Sequence, residues 1–142
     1  MNIGIDALTI DEKPTGIGWY GINFINSIDK VLNQSLNVTV YIQEKSKNFF
    51  KGVNNVNIKI IGNFKSNKQR IYYQQIKMSS VLKRDKIDFV HYIDYLVPVL
   101  HNEIPYIITI HDLSFYEKNF LILVRRYLKE LLQKVLLKVQ PR

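Results

Sequence analysis

Cysteine is missing from these 142 residues, so neither a disulfide framework nor a thiolate metal site is available, and nothing points to an oxidising compartment. A cytoplasmic protein is expected. Long apolar runs are also missing: residues 120–124 are followed at once by Arg125 and Arg126, far short of the roughly 20 apolar residues that cross a bilayer. The N-terminal residues, alternating at Ile3, Ile5 and Ala7, lack the basic leader and apolar core of a signal peptide, so secretion is not expected. Acidic residues are in the minority, 12 against 20 Lys and Arg, for a formal charge of +8. Such a balance attracts polyanions. Zinc-finger spacing, an aromatic ribonucleoprotein motif and a recognition-helix sequence are all absent, so nucleic acid is not an expected partner.

The length fits one domain, and 46% hydrophobic residues with 12% aromatics are enough to build a core rather than a disordered chain. Residues 1–7 alternate as a strand. Thr, Asp, Pro and Gly then gather in residues 9–18 as they do in loops, and a helical pattern follows with Ile17, Tyr20, Phe24, Ile28, Val31 and Leu32 on one stripe. Residues 38–42 and 56–61 are β-branched runs that predict two strands, joined by a loop holding Lys45, Lys47, Lys51 and Gly52. A helix is expected over 68–83, buried strands over 88–92 and 106–110, and a long helix over 119–139, which has no Gly or Pro. Strands alternating with helices predict an α/β fold, a Rossmann-like, doubly wound and mainly parallel sheet with helices on both faces.

In such sheets ligands sit beyond the carboxyl ends of the strands, which selects three segments: 6–20, 92–98 and 111–115. The first holds Gly16, Ile17 and Gly18 directly ahead of a helix, where exposed amides and the helix dipole attract phosphate. With Gly21 the spacing Gly-x-Gly-x-x-Gly is met, so a nicotinamide-type dinucleotide site is an alternative. Against it stand the long loop before Gly16 and the absence of an acid closing the second strand, other than Glu44. His111 and Asp112 close the strand over 107–110. There an imidazole can donate to a sugar hydroxyl or move a proton, and a carboxylate can orient a hydroxyl. His91 and His101 read as structural residues. Asp6, Tyr20, Tyr92 and Tyr95 are the polar candidates lining the same edge.

Ile5-Asp6-Ala7, Thr15-Gly16-Ile17-Gly18 with Tyr20, Val90-His91-Tyr92 with Pro98, and Ile110-His111-Asp112-Leu113-Ser114-Phe115 resemble, in order and spacing, the N-terminal domain of group 1 (family 4) glycosyltransferases. The resemblance implies a GT-B architecture, two Rossmann-like domains facing a cleft, with an acceptor on the first and a nucleotide-diphosphate sugar on the second. Transfer would be retaining and need neither metal nor cofactor. Gly16 and Gly18 would lie beside the donor phosphates, His111 would contact the transferred sugar, and Asp112 would hold the strand end. Trp19 departs from the pattern, which more often has Arg there. The paired glutamates of the donor domain have no counterpart, and Glu117 and Glu130 do not substitute for them. The expectation is therefore an incomplete, acceptor-side domain over 1–142, inactive alone, serving a glycan or lipid-linked acceptor and completed by a partner chain carrying the donor domain. A non-catalytic binding remnant is the other reading. The apolar and basic faces of the segment 119–139 add an expected peripheral contact with anionic membrane.

Overall fold

β-Branched and apolar runs form the strands of this protein, and glycine and polar residues stop them. The computed structural model describes residues 1–32, 35–99 and 103–112, in a chain that divides into two units, Met1–Thr109 and Ile110–Arg142. The first unit runs β1 (Asn2–Asp6), α1 (Gly16–Val31), β2 (Asn37–Gln43), a 3-10 helix (Glu44–Phe50), β3 (Asn57–Gly62), α2 (Asn67–Ile76), α3 (Met78–Arg84), β4 (Phe89–Tyr92) and β5 (Tyr106–Ile108). The strands lie in the order β3-β2-β1-β4-β5, and every pairing is parallel.

Side chains alternate between the two faces of each strand, and both faces are covered. On one, Ile5, Val38, Val40 and Ile42 pack against Ile22 and Ile25 of α1. On the other, Tyr41, Val90 and Tyr92 pack against Met78, Val81 and Leu82 of α3. Each fully buried aliphatic side chain contributes about 1.5–3 kcal/mol, so these two cores carry most of the folding energy. The result is a Rossmann-like α/β sheet.

Four sequence expectations change. Phe24, Ile28 and Leu32 of the expected stripe pack against the core, but the fully buried face of α1 is Gly18, Gly21, Ile22, Ile25 and Asp29, and Val31 is 80% exposed. An apolar stripe cannot register a face built partly of glycine. A Cβ on Gly21 would lie 2.5 Å from Ile93 Cδ1 and 3.0 Å from Ile10 Cδ1, so the missing side chain is what lets the helix approach the segments that follow β1 and β4. The helix expected over 68–83 is two, α2 and α3, broken at Lys77 (φ −108°, ψ −29°), whose N–H still reaches Tyr73 O at 2.8 Å. The loop after β2 begins as a 3-10 helix. Finally, β5 is a three-residue edge strand with Tyr106 and Ile107 exposed, so Thr109 and Ile110 separate it from His111.

Asp29 fixes the amino edge of the sheet. Its carboxylate accepts from the backbone N–H groups of Asn54 (3.1 Å), Asn55 (2.6 Å) and Val56 (3.1 Å), just ahead of β3. Among the described residues no helix is long and apolar enough to cross a membrane. The segment 119–139, with its apolar and basic faces, lies outside the described residues, as do His101, Glu117 and Glu130.

Candidate functional site

β1 and β4 are neighbours, yet β1 continues toward β2 on one side and β4 toward β5 on the other. Chains leaving in opposite directions open a crevice at the carboxyl ends of those two strands. Asp6, the last residue of β1, is in register with Tyr92, the last of β4. Its Oδ1 accepts from the N–H of Leu8 at 3.0 Å, and its Oδ2 accepts from Nε2 of Gln74 at 3.0 Å. Gln74 Oε1 in turn accepts from Nη1 of Arg70 at 3.1 Å. Asp94, just beyond β4, approaches the same Nη1 at 4.0 Å. Its Oδ2 accepts from the Thr9 hydroxyl at 3.1 Å, and its Oδ1 from the N–H of Tyr95 at 2.7 Å.

The charged members of this network are withdrawn from water: Asp6 is 3% exposed, Asp94 7% and Arg70 8%. Burial pushes the Asp6 carboxyl up to about 6 against the hydrogen bonds from Gln74 and Leu8 and the charge of Arg70, with Asp94 adding repulsion. At the rim, Lys45 Nζ meets Asp11 Oδ2 at 2.6 Å. Desolvation opposes ionisation of Asp11, but the hydrogen bonds from Lys45 and the Glu12 N–H, with the charges of Lys45 and Arg70, hold its carboxyl below the ordinary range.

Gly16, Ile17 and Gly18, expected in the loop, form the first turn of α1 instead. Thr15 is the N-cap but makes no side-chain capping bond, and no acidic residue occupies that turn, so its dipole is not offset by a nearby carboxylate. The two glycines differ. A Cβ on Gly16 would meet nothing within 4 Å, whereas one on Gly18 would lie 2.8 Å from Pro14 Cβ. Gly16 thus leaves an open approach to the helix end, and Gly18 is accounted for by packing. Trp19 is half-exposed and meets Phe49 edge-on, ring centres 5.9 Å apart.

The tyrosines separate as well. Tyr20 stacks on Phe24 and lies 3.4 Å from the Thr109 hydroxyl, and Tyr95 is exposed beside Asp94. Tyr92 is buried in the second core, edge-on to Tyr106. It shares a sheet face with its register partner Asp6 but does not line the open edge, because its ring is packed among Met78, Val81 and Leu82. Burial pushes its phenol upward. His91 is structural: it packs edge-on against Phe24 and sits 2.8 Å from Thr109 Oγ1, and burial pushes its imidazole below the ordinary value.

His111 and Asp112 belong with Ile110 to the second unit, where none of the three lies in a helix or strand. Sequence reasoning missed Thr9, Arg70, Gln74 and Asp94. The available signal was Arg70 and Gln74, four apart and hence on one face of a helix, interrupting a poorly periodic apolar pattern. Among the described residues no three His, Asp or Glu side chains gather in a way that could hold a metal ion.

No protein-family model, curated protein or solved structure matches the chain.

Proposed function

We propose that the chain is the acceptor-side, Rossmann-like domain of a glycosyltransferase of GT-B architecture, acting in transfer of a sugar from a nucleotide-diphosphate sugar to a glycan or lipid-linked acceptor. The observation that carries this reading is the buried Asp6–Gln74–Arg70–Asp94 network at the carboxyl ends of β1 and β4. Fixed donors and acceptors at that edge suit a ligand rich in hydroxyls. The open approach at Gly16 and the uncapped first turn of α1 support a neighbouring phosphate. In this reading a second domain, in the same polypeptide or in a partner chain, holds the nucleotide and its sugar, while His111 contacts the sugar being moved and Asp112 supports it.

The dinucleotide alternative is weaker. Residues 7–15 separate β1 from α1 where the fingerprint needs a tight turn, Gly18 faces Pro14, and β2 ends in Gln43 rather than an acid. Gln43 is itself committed, donating to Leu8 O at 2.7 Å, and Glu44 pairs with Lys47.

Purified alone, the chain is expected to transfer no sugar and to bind nucleotide sugar weakly; tight calorimetric binding counts against the assignment. Adding a donor-binding domain is expected to restore transfer. His111→Ala should then lower turnover by roughly a hundredfold or more with little change in stability. Equal losses of both would return His111 to a structural role.

A further inference from the structure

Arg70 has the strongest claim to an unassigned binding role. A guanidinium carries five N–H donors in a rigid fork. Among the described residues one hydrogen bond is made by this side chain, from Nη1 to Gln74, and Asp94 at 4.0 Å is too far for a second. Among the described residues the buried side-chain polar atoms left without a partner are Ser79 Oγ and Tyr92 Oη. Arg70 Nε and Nη2 are not among them, so those nitrogens reach solvent although the residue is 8% exposed. The side chain is thus sunk into the protein with donors left over beyond its bond to Gln74. Beside them lie the Asp94 carboxylate and the Thr9 hydroxyl, 3.1 Å apart.

The charge pattern selects the ligand class. An anion drawn to Arg70 meets Asp94 and Asp11, and a cation drawn to those carboxylates meets Arg70 and Lys45. A neutral polyol meets neither penalty, because each hydroxyl can donate to a carboxylate while accepting from a guanidinium.

We propose that Arg70, Asp94 and Thr9 form a subsite for the vicinal hydroxyls of an uncharged sugar. This deepens the reading above, on which it rests, by assigning that sugar to the acceptor. Saturation-transfer NMR on the full chain with neutral methyl hexosides, and phosphorus-31 line broadening with inorganic phosphate, test it. Ring protons of at least one hexoside should be saturated at millimolar sugar. Asp94→Asn and Arg70→Lys, both checked for native fold by circular dichroism, should each weaken that binding by roughly tenfold or more, the size of a hydrogen bond to a charged group. Thr9→Val should weaken it less.

No saturation of any hexoside by the wild-type chain overturns the subsite, a result that needs no variant to fold. Unchanged sugar binding in both charged-residue variants overturns it too, as does phosphate binding in place of sugar and strengthened by Asp94→Asn. If sugar binds as described but the chain completed with a donor domain transfers nothing, the transferase reading fails and the subsite stands. If transfer occurs and is indifferent to both variants, the subsite fails and the transferase reading stands.

Discussion

Asp29 and Asp6 are both buried, at opposite edges of one sheet, and the protein treats them differently. At the amino edge, Asp29 is saturated by three consecutive backbone amides, those of Asn54, Asn55 and Val56. At the carboxyl edge, Asp6 belongs to a chain of polar side chains ending in an arginine with open donors. Buried polar groups are normally paired. A saturated carboxylate is therefore explained by the fold alone, whereas a sunken charge with unused hydrogen-bonding capacity calls for something the fold does not supply. This contrast separates a clamp from a site.

The largest expected effect breaks the clamp. Asp29→Ala strips the acceptor from three amides near the start of β3 and should cost about 3 kcal/mol in urea unfolding, whereas Asp29→Asn, which keeps one acceptor oxygen, should cost less. A loss too small to resolve would remove Asp29 from the account.

Next comes the pH response of the carboxyl edge. With its carboxyl raised to about 6 by burial, Asp6 binds a proton more tightly in the folded than in the unfolded state. Its contribution to stability is therefore fully present below the ordinary carboxylate value and is lost as pH rises through about 6. That loss is on the order of 2–3 kcal/mol. Asp6→Asn should remove it, so the stability difference between variant and wild type should move in the variant's favour between acidic and neutral pH. Parallel pH curves would contradict this.

The glycines of α1 sharpen the comparison with smaller effects. Gly21→Ala drives a methyl into Ile93 and Ile10; overpacking of about 1–3 kcal/mol outweighs a helix-propensity gain of about 1 kcal/mol, leaving a net loss near 1 kcal/mol. Gly16→Ala, with nothing within 4 Å, should instead raise stability by about 0.5 kcal/mol. Thermal melts of the pair distinguish a glycine kept for packing from one that leaves space open.

Much of the fold was legible because strands and helices announce themselves by period. The runs at 38–42 and 56–61 became β2 and β3, and the alternation of Ile3 and Ile5 became β1. The face of α1 was legible in part: Phe24, Ile28 and Leu32 do pack against the core, but Gly18 and Gly21, which carry no hydropathy signal, are buried on it. Asp6 was singled out from its place at a strand end. Arg70, Gln74 and Asp94 were not, because the network joins α2 to the ends of β1 and β4 across more than sixty residues of sequence, from Asp6 to Gln74. No local spacing encodes that meeting. Tyr92 shows the opposite error: a polar side chain at the right strand end, on the same face as Asp6, belongs to the core because Met78, Val81 and Leu82 pack over it.

The most direct measurement is a map of backbone amide shifts in the full chain during titration with the neutral hexoside that saturates best. Shifts are expected at Leu8, Thr9, Arg70, Asp94 and Tyr95 at the carboxyl edge, with Asn54, Asn55 and Val56 at the amino edge unmoved. Shifts centred on the Asp29 clamp, or none at either edge at saturating sugar, would contradict this.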